Sequence, residues 1–155
     1  MTDQDYTPVT CSHVETSRRL DILPRYAGRY MLALEGLVYQ VMDEYAPDYT
    51  GGYWSMWELS NGGFYMAPGG RDETYAMQCV GNWFNDTMSA DAAGIVACLV
   101  AFNRLAWHTR QQRFIDLYHQ LRDFALDHDE ATKIMAAIDW HARIALGPAG
   151  GSPPV

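Results

Sequence analysis

The stretch GGYWSMWELSNGGFYMAP, residues 51–68, constrains this chain more than any other, because it joins two alternating, aromatic-rich strands through a turn pair. Asn61-Gly62 readily takes the positive φ angles of a two-residue type I′ turn. That turn sets Ser60 opposite Gly63, Leu59 opposite Phe64, Glu58 opposite Tyr65 and Trp57 opposite Met66. Alternate side chains point to opposite faces, so Leu59, Phe64, Trp57 and Met66 are expected to form a core layer. Trp54, Met56, Glu58, Tyr65 and Ala67 are expected on the other face, which helices or a partner must cover. Helices of the same chain are the commoner cover. Pro68 and Gly69-Gly70 end the second strand.

A chain of 155 residues fits one domain that can bury a core without staples. Cys11, Cys79 and Cys98 are odd in number and widely spaced, with no CxxC pair, so they suggest neither a disulfide framework nor a zinc site. A reducing cytoplasm fits this usage. The opening MTDQDYTPVT lacks the basic and apolar regions of a secretory signal. The longest apolar run, residues 92–102, is shorter than the roughly 18 residues of a membrane span. A soluble protein without a membrane partner is expected.

The net charge is −8, from 19 acidic and 11 basic residues. Direct DNA binding is therefore disfavoured. Mimicry of DNA by charge alone is disfavoured too, because duplex DNA carries about one negative charge per 1.7 Å of axis, far denser than this surface. The charge is also divided: Arg18, Arg19, Arg25 and Arg29 form one basic segment, and Arg104, Arg110 and Arg113 another. Each group reads as a solvated face unless the fold brings them together.

Hydrophobic periodicity supplies the rest of the plan. A helix over residues 29–45 follows from Met31, Leu34, Val38, Val41, Met42 and Tyr45 on one stripe, and Pro47 stops it. Residues 74–80 and 82–87 read as two further strands, giving a small antiparallel sheet of three or four strands. Ser89 is a good N-cap, with Asp91 suited to the helix dipole. The helix that follows is apolar almost all round over residues 92–102 and should be the buried centre. Phe114, Leu117, Tyr118, Leu121, Phe124 and Ala125 form the stripe of the next helix. Asp127 and Glu130 read as a cap for the last one, whose stripe is Ala131, Ile134, Met135, Ile138, Ala142 and Ala145. The expected fold is α+β: a small antiparallel sheet packed with about four helices, organised as an arm (1–12), one domain (13–146) and a flexible tail (147–155).

Candidate chemistry is sparse. Asp116, His119 and Asp123 share one helix face, the spacing of a metal-dependent hydrolase or nuclease site. That face lies opposite the core stripe and points to water, and no HExxH pattern supplies further ligands. His13, His108, His128 and His141 are scattered, Cys98 falls in the buried helix, and the glycine pairs flank strands instead of opening a helix as a phosphate loop does. No metal or cofactor is expected, and no catalysis. The densest acidic group is Asp123, Asp127, Asp129, Glu130 and Asp139, whose plainer reading is capping and solvation. Trp140 projects opposite the last helix's core stripe, with Asp129, Lys133 and Arg143 nearby, the composition of a protein-contact hot spot. These six residues, Asp123, Asp127, Asp129, Glu130, Asp139 and Trp140, are the candidate partner-contact surface.

Residues 51–68 together with MSADAAGIVACL (88–99), RRLDILPRYAGR (18–29) and LYHQLRDFALDHDEATKIMAAID (117–139) resemble the ArdB/KlcA antirestriction proteins of plasmids and other mobile elements. The likeness runs in consistent order from about residue 8 to 139. It implies a small α+β domain without a known catalytic site, distinct from the highly acidic DNA mimics. It also implies inhibition of DNA cleavage by host type I restriction-modification enzymes, protecting incoming unmodified DNA. The implied partner is such an enzyme or an associated host factor. The family offers no settled functional residues to carry over.

Overall fold

The computed structural model describes residues 7–69, 73–79 and 83–146, with side chains described up to residue 139. Among the described residues, five strands fall into two antiparallel sheets packed with helices, the α+β architecture expected. The first sheet has the order β1 (Cys11–His13), β2 (Trp54–Leu59), β3 (Phe64–Pro68). The second pairs β4 (Thr74–Cys79) with β5 (Phe84–Ser89). The helices are α1 (Arg19–Ala27), α2 (Met31–Tyr45), α3 (Ala90–Thr109), α4 (Gln112–Ala125) and α5 (Ala131–Leu146). Cys11 and Ser12, expected in a loose arm, pair with Leu59 and Glu58. Residues 1–6 of that arm and all of the expected tail, 147–155, lie outside the described residues.

The hairpin differs from its expected register by one residue. Glu58 lies opposite Phe64 and Trp57 opposite Tyr65, not Tyr65 and Met66. The loop has three residues, Ser60 to Gly62, closed by Leu59 N–H to Gly63 O (2.9 Å) and Gly62 N–H to Leu59 O (3.1 Å), with Gly62 at φ +96°. This is the turn-plus-bulge loop, in which the glycine alone takes the left-handed conformation. Side-chain chemistry selects it over the type I′ turn: Asn61 Oδ1 accepts from Gly63 N–H (3.2 Å), and Asn61 and Gln120 of α4 exchange two hydrogen bonds (3.0 and 3.1 Å). A one-residue slip changes which residues share a face. Ser55, Trp57, Leu59, Tyr65 and Ala67 therefore lie on one side, and Trp54, Met56, Glu58, Phe64 and Met66 on the other.

The second of these faces is the core face. Phe64 and Met66 are fully buried, and Phe64 stacks on Tyr26 of α1 at 4.6 Å. Glu58, at the rim, is the anchor for α1: Tyr26 donates to it at 2.6 Å, Arg18 at 2.9 Å, and Arg25 lies 3.7 Å away. Half of the first basic segment thus serves an internal carboxylate, and Arg19 donates to the Trp54 carbonyl while lying 4.4 Å over the Tyr53 ring. Helix α1 itself was not anticipated, because Pro24 sits inside it and its apolar side is short.

Helix α3 is the centre, and every residue from Ala92 to Asn103 is buried. It is also the helix among the described residues that is long and apolar enough to cross a membrane, yet 78% of its apolar window is enclosed by the fold. Its approach to β3 is set by Gly94, where a Cβ would lie 2.5 Å from the Ala67 Cα and from the Met66 carbonyl oxygen. Four residues on, Cys98 Sγ sits 3.4 Å from Met66 N and 3.5 Å from Met66 O. Burial pushes its thiol up to about 12, so Cys98 is a core group and not a nucleophile.

Two predictions follow from this packing. Gly94→Ala collides with backbone that cannot rotate away and is predicted to cost about 2 kcal/mol or more. Gly36→Ala, in α2 with open space around it, is predicted to add up to about 1 kcal/mol. Chemical denaturation of the pair measures both signs. Glu58 carries a pH signature: hydrogen bonding from Tyr26, then Arg18, holds its carboxyl below the ordinary value against the opposing effect of burial. Its contribution is full above the unfolded value of about 4.3 and is lost as pH falls through the folded one. Glu58→Gln is therefore predicted to lower stability at neutral pH by about 1 kcal/mol or more, with the gap to wild type closing in acid.

Candidate functional site: an acidic, aromatic cleft

The sheet face that α1 and α3 leave uncovered floors a cleft of about 910 Å³. Cys11 and His13 from β1, Ser55 and Trp57 from β2, and Tyr65 and Ala67 from β3 all project into it, as the observed register requires. Its far wall is the N-terminus of α3 with Ala90 and Asp91, the end of α4 with Phe124, and the turn Asp127, His128, Asp129. Aromatic rings line the floor in series. Trp57 stacks with Tyr65 at 6.3 Å and 12°, and Tyr65 with Phe124 at 5.7 Å and 27°, while His13 meets Trp57 edge-on at 4.9 Å.

Asp91 is the group around which this wall is built. Tyr65 O–H donates to its Oδ1 at 2.7 Å, and His128 Nε2 lies 2.8 Å from its Oδ2. The tautomer follows from the other ring nitrogen: Nδ1 accepts from the Glu130 N–H at 2.9 Å, so Nε2 carries the proton given to Asp91. Burial first, and then the Asp91 carboxylate, push the Tyr65 phenol upward, so it remains a donor. The first turn of α3 adds its positive dipole end. Asp91 is thus fixed from three sides, yet its side chain is 39% exposed while that of His128 is 12% exposed.

Ser89 and Glu130 brace the same corner. Ser89 caps α3 as expected, its Oγ accepting from Ala92 N–H at 3.1 Å. That hydroxyl donates to Glu130 Oε2, and the Ser89 N–H donates to Glu130 Oε1 at 2.9 Å. The expected Asp127/Glu130 cap of the last helix is therefore corrected. Glu130 turns toward Ser89, and the turn into α5 is held instead by Ala131 N–H to His128 O (3.0 Å) and Ile134 N–H to Glu130 O (3.0 Å).

Of the candidate contact residues, Asp127 and Asp129 line the cleft and are exposed. Asp123 and Asp139 are exposed but outside its lining, and Glu130 is partly buried against Ser89. The side chain of Trp140 lies outside the described residues. Lys133, expected beside it, reaches β5, donating to Thr87 O at 2.6 Å near Asp86. Asp116, His119 and Asp123 all lie on the exposed face of α4, and among the described residues no three His, Cys, Asp or Glu converge as metal ligands. Tyr65, Asp91 and His128 were not foreseen as a unit. They are 26 and 37 residues apart in sequence, and only the cap spacing of Asp91 gave a signal.

The antirestriction protein family matches residues 47–139, which include four strands, α3, α4, the His128 turn and the start of α5. The chain belongs to that family. An antirestriction protein KlcA of Escherichia coli is 45% identical over 90% of this chain and its own full length, and a second KlcA is 44% identical with the same coverage. The uncharacterized protein YafX of E. coli K12 is 37% identical over 84% of this chain and 88% of its own. Among solved structures, one superposes with a TM-score of 0.80 at 45% identity, covering 87% of this chain and 98% of its own. It comes from work describing a novel fold for the KlcA and ArdB proteins, and antirestriction activity against type I DNA restriction systems in vivo but not in vitro. As a member of the antirestriction family, the chain shares that fold.

The Asp91–His128 pair predicts a titration. Its hydrogen bond raises the His128 pKa above the ordinary value against the lowering effect of burial. The stabilisation is complete below about pH 6.5 and fades as pH climbs through the folded value. NMR titration of the His128 ring is predicted to give a pKa above that of an exposed histidine, and Asp91→Asn to lower it.

Proposed function

We propose that this chain protects incoming unmodified DNA from cleavage by type I restriction-modification enzymes, and that it does so through protein contacts, not by catalysis or by imitating DNA. The observation that carries this reading is 45% identity with a KlcA protein over that relative's whole length, joined to the TM-score of 0.80 with a solved structure of the same group. The contact reading is supported by two further features. The modest charge of −8 is divided between acidic and basic regions, and three of the four arginines of the first basic segment are spent on Glu58 and the Trp54 carbonyl. The activity described for that solved relative in vivo but not in vitro fits a route through a further host component, so the partner is the restriction enzyme or a factor associated with it.

The acidic C-terminal region remains the proposed contact surface, with Asp127 and Asp129 at the cleft as its centre; Asp123 and Asp139 are exposed candidates outside the cleft lining, and Trp140 is a candidate from the sequence alone. Glu130 is assigned a positioning role, since its carboxylate holds Ser89.

The test is plating of unmodified phage on cells with an active type I system, with and without this protein. Plating efficiency is predicted to rise when the protein is present, while methylation of the host chromosome is unchanged. An efficiency that does not move would remove the proposal.

A further inference from the structure

Three properties of the cleft converge on one kind of occupant. It is anionic: Asp91, Asp127 and Asp129 line it, and none of its described lining residues is Lys or Arg. Its floor carries two partly exposed aromatic rings, Trp57 and Phe124, each stacked on the buried Tyr65. At its wall stands a carboxylate already oriented by Tyr65 and His128, still 39% exposed and with acceptor capacity left on each oxygen. A planar cation that stacks on π-faces and donates in a fork to a carboxylate answers all three. An ammonium answers the charge but not the fork.

We infer that the cleft is a receptor for an arginine side chain presented by the protein partner, with the guanidinium seated against the partly exposed Trp57 and Phe124 rings and the Asp91 carboxylate, and with Asp129 at the entrance. This rests on the reading that the chain acts by protein contacts, and names the chemistry of the group contacted. The choice of a protein side chain over a free cation follows from the cleft's size and form. At about 910 Å³ it is far larger than a guanidinium and open to the surface, so it has room for the segment that carries the arginine. The preorganised carboxylate also avoids the ordering cost that a mobile surface acid would incur on binding. Arg71 lies two positions beyond the lining Gly69 in sequence and outside the described residues, so the chain's own arginine is the competitor to be tested.

The probe is a capped Gly-Arg-Gly peptide, titrated into the full chain and followed by tryptophan fluorescence and by the NMR signals of Trp57 and His128. Saturable binding centred on these residues is expected. It should weaken about tenfold, equivalent to about 1.4 kcal/mol, when citrulline replaces arginine, and less when lysine does. Asp91→Asn should weaken it similarly, and Asp129→Asn, which leaves the Tyr65 and His128 contacts intact, should do so without loss of fold. Equal binding of the citrulline peptide, or no saturable binding, overturns the inference. Binding that appears only in Arg71→Gln assigns the cleft to the chain's own arginine and overturns it too. The plating assay reads the parent proposal separately: protection by a wild-type chain that ignores the arginine peptide discards the receptor and keeps the function.

Discussion

The structure depends on the close approach of one apolar helix to one strand. At Gly94 the backbone of α3 comes so near β3 that even a methyl group would overlap Ala67 and Met66. This contact fixes where the N-terminus of α3 emerges, and Asp91 follows three residues before Gly94 on the first turn. Placing a carboxylate at a helix N-terminus is favourable by itself. Placing it there within reach of Tyr65 requires the strand and helix to be locked at this separation. The two fully buried aromatic neighbours on β3 therefore have different tasks: Phe64 faces the core against Tyr26 and Phe102, and Tyr65 faces the opposite way with its hydroxyl on Asp91.

The cleft is then closed by a turn that brings its own supports. Between α4 and α5, His128 and Glu130 reach back to Asp91 and Ser89, so the turn grips both the cap residue and the first-turn acid of α3. Neighbouring Asp127 and Asp129 are carried to the cleft by this grip and lie exposed there. The acidic residues of the region thus divide by role. One braces the corner, one is held in the wall, and two are displayed.

Much of this was legible in the chain. The stripes of α2 and α4, the all-round apolar character of α3 and the cap at Ser89 are local patterns, and local patterns survive into the fold. The hairpin was legible as a hairpin but not in its register, because Asn-Gly satisfies either a two-residue or a three-residue loop and the choice is made by Gln120, 59 residues away. That slip mattered: Phe64 and Met66 keep the core face expected of them, but the β2 residues change sides, so Trp57 joins Tyr65 at the cleft while Trp54, Met56 and Glu58 join Phe64. Helix α1 was hidden by Pro24 and by arginines that read as solvated until Glu58 and the Trp54 carbonyl were seen to bind them. The Asp91–His128 pair joins residues 37 apart, and no spacing rule announces such a meeting.

The central claim is that the exposed carboxylates at the cleft, and not negative charge in general, carry the antirestriction function. It is tested most directly by comparing two double variants that remove the same charge, Asp127→Asn with Asp129→Asn at the cleft and Asp43→Asn with Asp116→Asn on exposed surfaces outside its lining. At equal cellular levels of folded protein, the first pair should lose protection of unmodified phage against a type I system and the second should keep it. Equal protection by both, or loss in both, would contradict the account.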